Sequence, residues 1–256
     1  MPPLSLWLNL ARSGGTLLAR CLGSMRSVAL LSEVHPLGVR LIDPAEQAFR
    51  WHKLLKPGEV AQWRAGRGRY DELMALLTTR AADQGKTLLL RDWSHLDYLG
   101  VPFVEPAFLS RSSQLLGARF HLRRFATVRH PADQWMSQQR LDLLRGRVDP
   151  AAYLRGCRAF AELAAETGFA RYEDFTTDPD AELARICHGL GLEFDPAWRD
   201  RYRSYANITG DEATLGESIG EIRPAVWRPL DPALRDTFAA NPDYADACRL
   251  LGYDPA

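Results

Sequence analysis

The chain has 256 residues, 46% of them hydrophobic and 25% charged, an ordinary globular composition with room for one large covered sheet. Its 32 Lys and Arg balance 32 Asp and Glu, so it carries no overall basic footprint for a nucleic-acid partner. Cys21, Cys157, Cys187 and Cys248 are scattered without metal-ligand or redox spacing, which suits a reducing, cytoplasmic compartment.

The segment Met1-Pro2-Pro3-Leu4 puts no basic residues before its apolar run, so the start of the chain reads as a strand and not as a leader. No apolar stretch is long enough to span a membrane. Leu4–Leu10 has the short apolar pattern of a buried parallel strand. A glycine-containing turn follows, then a helical pattern from Thr16 to Met25. Ser27–Leu31 reads as a second strand and Glu33–Gly38 as a loop. Helical patterns fill 44–85, broken near Pro57-Gly58. Lys86–Arg91 is a third strand, and 92–106 an irregular, aromatic-rich segment. Phe120–Arg129 is strongly strand-like and stops at His130-Pro131. Helices are expected at 132–145 and 150–166, a short strand at Phe169–Tyr172, and a helix at Asp178–Leu190 capped by Gly191. The last 60 or so residues read as loops with short helices. Strands alternating with helices imply an α/β fold, a parallel sheet covered on both faces in one domain over residues 1–256.

The first strand-to-helix turn is Arg12-Ser13-Gly14-Gly15-Thr16, followed by Leu17. Adjacent glycines let the backbone turn tightly and aim successive N–H groups inward. The positive end of the following helix favours an anion. Ser13 and Thr16 offer hydroxyl donors and Arg12 a charged fork. It is not a Walker A loop, because no lysine precedes the threonine. A second cluster follows the Phe120–Val128 strand. Arg129 leaves its carboxyl edge, where open α/β sheets bind ligands, and Ser137 lies eight residues on, about two helical turns into the next helix. The two can converge on one phosphate.

Together these motifs resemble those of the PAPS-dependent sulfotransferases. The family's 5′-phosphosulfate loop reads like Arg-Ser-Gly-Thr-Thr, and its 3′-phosphate motif is an Arg followed eight residues later by a Ser. Tyr172-Glu173-Asp174-Phe175 resembles the family's strand end, whose Tyr lies close to adenine. Trp227-Arg228 resembles the C-terminal segment that closes over the nucleotide. The likeness covers roughly residues 4–230 and departs at Gly15, where many members have Thr. It implies a P-loop NTPase-like sheet, PAPS as donor, PAP as product and no metal.

Sulfuryl transfer, like phosphoryl transfer, needs cations, positioning and a base for the acceptor proton. Arg12 is one candidate cation. Arg91 is another, in an Arg91-Asp92 pair resembling the Lys-Asp pair of tyrosylprotein-type and bacterial members. Arg91 keeps the charge but is no proton donor near neutrality. Glu33 and His95 compete as base, with Glu33 preferred and with His95 and His35 lining an acceptor pocket. Trp93, Tyr98, Phe103 and Phe108 offer apolar walls for that pocket. The acceptor, whether small molecule, carbohydrate or peptide, is not specified, nor is the oligomeric state. Two rival readings are a P-loop kinase using ATP and a non-catalytic nucleotide-binding relative. The sequon Asn207-Ile208-Thr209 carries no meaning in a cytoplasmic chain.

Overall fold

The computed structural model describes residues 1–66, 68–142, 144–210, 221–226 and 230–255. Five parallel strands form the sheet: β1 (Pro3–Asn9), β2 (Val28–Val34), β3 (Thr87–Asp92), β4 (His121–Val128) and β5 (Phe169–Arg171), in the order β2-β3-β1-β4-β5. Thirteen helices are described: α1 (Gly15–Gly23), α2 (Pro44–His52), α3 (Pro57–Arg64), α4 (Tyr70–Asp83), α5 (His95–Leu99), α6 (Arg111–Gly117), α7 (Pro131–Gln138), α8 (Pro150–Thr167), α9 (Tyr172–Thr177), α10 (Pro179–Leu190), α11 (Trp198–Arg201), α12 (Pro232–Ala239) and α13 (Pro242–Leu251).

Alternation along the strands sorts the core into two halves. Leu4, Leu6 and Leu8 of β1 join Leu88 and Leu90 of β3 on the face covered by α4, α8 and α13. Trp7 points the other way, with Leu30, Leu89 and Phe125, toward α1 and α10. Both faces are therefore buried, which explains why the strands read as continuous apolar runs. Several helix starts are written locally. At Asp43, Asp149, Asp178, Asp231 and Asn241 the side chain accepts backbone N–H bonds while the next residue is a proline at the first helical position.

The strands and most helices fall within a few residues of the sequence reading. Three short helices were not expected. α5 and α6 lie in or beside the aromatic-rich segment, and α9 begins at Tyr172, which the sequence pattern places at the end of a strand. The expected helix at 132–145 ends at Gln138. β2 runs on to Val34, so Glu33 belongs to the strand and not to a following loop. Trp227 and Arg228 lie outside the described residues. No described helix is long and apolar enough to cross a membrane.

Candidate active site

β3 and β2 lie on one side of β1, and β4 and β5 on the other, so the connections diverge at the carboxyl end of β1. Open α/β sheets bind ligands at such a point. A cleft of about 750 Å³ opens there.

The glycine turn forms one wall. Arg12 and Gly14 both have positive φ, 68° and 82°. For Gly14 this costs nothing, whereas for Arg12 it is an uncommon conformation that needs support. The support comes from α7 and the residues before it. Arg129 donates from one guanidinium nitrogen to the Arg12 carbonyl at 3.1 Å, and Gln134 donates from Nε2 to the Ala11 carbonyl at 2.8 Å. Gln138 approaches the same carbonyl at 3.4 Å. Arg12 Nε donates in turn to Ser137 Oγ at 3.0 Å. The two motifs, far apart in sequence, are thus bonded to each other directly. Asp133 holds Arg129, accepting from its Nε at 2.7 Å.

Both glycines are needed for close approach. A Cβ on Gly14 would lie 2.1 Å from the Tyr172 ring. That ring also stacks on Arg129, whose guanidinium carbon is 4.9 Å from its centroid. A Cβ on Gly15 would lie 2.5 Å from an Arg91 guanidinium nitrogen and 2.6 Å from Asn9 Nδ2. Arg91 and Asn9 therefore leave no room for a side chain at position 15. One loop expectation changes. Ser13 is buried, and its hydroxyl donates to the Leu10 carbonyl at 2.7 Å, so it closes the turn and offers the cleft no donor. Thr16 and Leu17 line the cleft.

The opposite wall comes from β2 and β3. The register of β2 on β3 shifts between Leu31 and Val34, and Glu33 takes a φ of 55° there. Such a bulge re-aims a side chain, and Glu33 faces the cleft. Its Oε1 accepts from Arg91 at 3.0 Å. Arg91 is buried; besides Glu33 it reaches Asn9 Oδ1, Ser32 Oγ and the Thr209 carbonyl, each at 3.3 Å. Burial pulls its pKa down from the ordinary value, and Glu33 opposes that shift. Arg91 pairs with Glu33 and not with Asp92. His95, at the start of α5, lines the cleft beside them. Burial lowers its pKa to about 4; Arg91 and His35 add to the shift and Glu33 opposes it. The ring is neutral at neutral pH.

His35 does not line the cleft. It is fully buried, its Nε2 3.2 Å from Asp97 Oδ2, while its Nδ1 accepts from the Leu37 amide at 3.2 Å. Burial alone would lower its pKa, but Asp97 and Asp92 outweigh that and raise it. The fold gathers His35, Asp92 and Asp97 with ligand atoms within 4.8 Å of one another, a grouping not visible in the sequence. Their oxygens are engaged: Asp92 accepts from Ser94 and Ser112, and Asp97 from the Arg111 amide and guanidinium. The set reads as a hydrogen-bond network that pins β3 to α5 and α6.

Of the four aromatics expected to wall the pocket, only Trp93 lines the cleft. Tyr98 is in the core against Phe160, at a centroid distance of 5.3 Å. Phe103 packs edge-on against Trp93, and Phe108 is exposed. Apolar lining also comes from Ile42, Leu141 and Leu144, none singled out in the sequence. Thr209 and Gly210 arrive from the far end of the chain. Thr209 Oγ1 bonds Ser32 Oγ at 2.9 Å, and Gly210 lies so close to Thr16 that a Cβ would sit 2.6 Å from its hydroxyl.

No protein-family model and no curated protein matches the chain. Solved structures do. A sulfotransferase domain from the curacin biosynthetic pathway superposes with a TM-score of 0.67 over 99% of both chains at 17% identity. The sulfotransferase domain of the Synechococcus PCC 7002 olefin synthase gives 0.61, covering 99% of this chain and 96% of that one, at 22% identity. A sulfotransferase from Alicyclobacillus acidocaldarius gives 0.50 over 98% and 96%, at 15% identity. The P-loop NTPase-like sheet expected from the motifs is therefore the one observed, and the chain has the fold of the bacterial sulfotransferase domains.

Proposed function

We propose that the protein is a PAPS-dependent sulfotransferase, moving a sulfuryl group to a hydroxyl or amine of an acceptor in a reducing, cytoplasmic compartment. The observation that carries this reading is the bonding of the glycine turn to Arg129 and Ser137. It supports one continuous anion site with two ends, which matches a nucleotide phosphorylated at both 5′ and 3′ positions. The residues fit such a donor. The amides of Gly14–Thr16 and the positive end of α1 suit the 5′ phosphosulfate. Arg129 and Ser137 suit the 3′ phosphate, and Tyr172 offers a ring face beside them. Trp227 and Arg228 complete the proposed donor set. An ATP-using kinase fits less well, since the turn has no lysine to reach a γ-phosphate.

In the transfer, an acceptor oxygen or nitrogen forms the new bond to sulfur while the bond from sulfur to the phosphate oxygen breaks. The electron pair leaves with the phosphate of PAP. Arg12 and the buried Arg91 stabilise charge on the sulfuryl oxygens and the leaving phosphate, in a low-dielectric setting where such contacts count most. Glu33 takes the acceptor proton. Its Oε1 is held by Arg91, which fixes the carboxylate against the cleft. Neutral His95 lines the same cleft and would orient the acceptor. Thermal shift tests the donor site. PAP stabilises the native state by about 2.7 kcal/mol at a hundredfold excess over Kd, and ATP and ADP, which lack the 3′ phosphate, stabilise less. Equal shifts with all three would overturn the reading.

A further inference from the structure

Resting on that reading, we infer that Thr209 is a positioning residue: it locks Arg91 so that one guanidinium N–H stays available to the leaving phosphate at the glycine turn. A guanidinium carries five N–H donors in a rigid fork. On Arg91, Nε donates to Asn9 Oδ1, and Nη1 donates to Ser32 Oγ and to the Thr209 carbonyl. Nη2 donates to Glu33 Oε1. Among the described residues one N–H is then left, and it is on Nη2. That nitrogen lies 2.5 Å from where a Cβ on Gly15 would sit, so the remaining donor is on the edge of the fork nearest the turn. There it can meet the phosphate oxygen that receives the electron pair when the bond to sulfur breaks.

Both bonds of Nη1 depend on Thr209. One goes to its carbonyl. The other goes to Ser32 Oγ, which Thr209 bonds twice, from its backbone N–H at 3.2 Å and through its hydroxyl at 2.9 Å. Ser32 and Arg91 are buried, so a bond lost here leaves a polar group unpaired. Thr209 itself does not belong to the sheet. It ends a run that lies along α1. Arg201 Nε donates to the Ser24 carbonyl just past that helix at 2.8 Å, and Arg20 donates to the Arg203 carbonyl at 3.1 Å. A Cβ on Gly23 would lie 2.4 Å from the Tyr205 ring, Ile208 is buried in the same half of the core as Leu18 and Leu22, and Gly210 meets Thr16 in the first turn. The run thus travels from the carboxyl end of α1 to its amino end, and its anchors fix where Thr209 arrives.

The test uses Thr209→Val, which keeps the shape and removes the hydroxyl, and Thr209→Ser, which restores it. Calorimetry with AMP should show affinity about fivefold lower in Thr209→Val and near wild type in Thr209→Ser, the worth of one hydrogen bond. Without ligand, the Arg91 Nε–H followed by 15N NMR should exchange with water about fivefold faster in Thr209→Val only. In a Ser32→Ala background Thr209→Val should add no further loss of AMP affinity, because the bond it removes is already gone. Wild-type behaviour of Thr209→Val in either readout, a Thr209→Ser protein as weak as Thr209→Val, or strictly additive effects with Ser32→Ala would overturn the inference. Equal affinity for PAP and ADP, with the response of AMP to Thr209 intact, would leave the positioning role standing and remove the donor reading instead.

Discussion

His95 makes folding stability depend on pH in a way that can be calculated. Its imidazole is pulled from 6.5 to about 4 by burial in the folded protein and returns to its ordinary value on unfolding. Between those values the unfolded chain binds the extra proton and the native state does not. Stability from this group is therefore complete above pH 6.5 and is lost as pH falls toward 4. At 1.36 kcal/mol per pH unit, the loss between about pH 7.5 and about pH 4.5 is on the order of 2–3 kcal/mol. His52 and His130, also lowered by burial, act in the same direction, while His35 is raised and opposes them. The wild-type slope alone is thus a sum. Denaturant titrations of wild type and His95→Asn at both pH values isolate the term, because a constant cost of the substitution cancels in the difference. The variant should lose less stability than wild type on acidification, by an amount on the order of 2–3 kcal/mol. Parallel losses in the two proteins would mean that His95 is accessible to protons in the native state, and its placement as a neutral group against the acceptor would fall with that.

Glu33→Gln should keep PAP affinity within a few-fold and reduce turnover by about 10²–10⁴-fold, as loss of a general base does; near-normal turnover would pass that role to His95. Gly15→Ala should cost about 1–3 kcal/mol by overpacking against Arg91, and Arg91→Lys in the same chain should recover at least about 1 kcal/mol of it; strictly additive effects in a double-mutant cycle would show that the two positions are not matched. Gln134→Leu should weaken AMP binding about fivefold, the worth of one hydrogen bond, and speed amide exchange over residues 12–16 without ligand. Tyr153→Phe, which removes another bond to Gln134 but spares Ala11, should change neither readout.

The glycine turn and the strand-end arginine that meets it were legible because their signals are local. A glycine pair between a strand and a helix, and an arginine just past the end of β4, keep their meaning at short range. Gln134 and Gln138 were within reach too, since with Ser137 they share one helical face, but glutamines carry no chemistry that draws the eye. The Glu33–Arg91 pair was not legible, because it depends on a register shift in β2 that no single residue announces. The aromatic-rich stretch misled for a related reason. Prolines and aromatics at 93–108 look alike whether they wall a cleft or fill the core, and only tertiary packing separates Trp93 from Tyr98. Thr209 stood in a formal sequon with no local pattern, and nothing before the fold closes brings it beside Ser32.

The strained Arg12 peptide has a consequence for kinetics. Its left-handed conformation is held by Arg129 and by the Gln134 bond next door, both supplied by the protein itself. The ordering entropy of the turn has therefore been settled during folding, before any nucleotide arrives. Association with the proposed nucleotide need not wait for this turn to rearrange, so the turn should add no slow step to the on-rate, and the bonds it makes should show in how fast each nucleotide leaves.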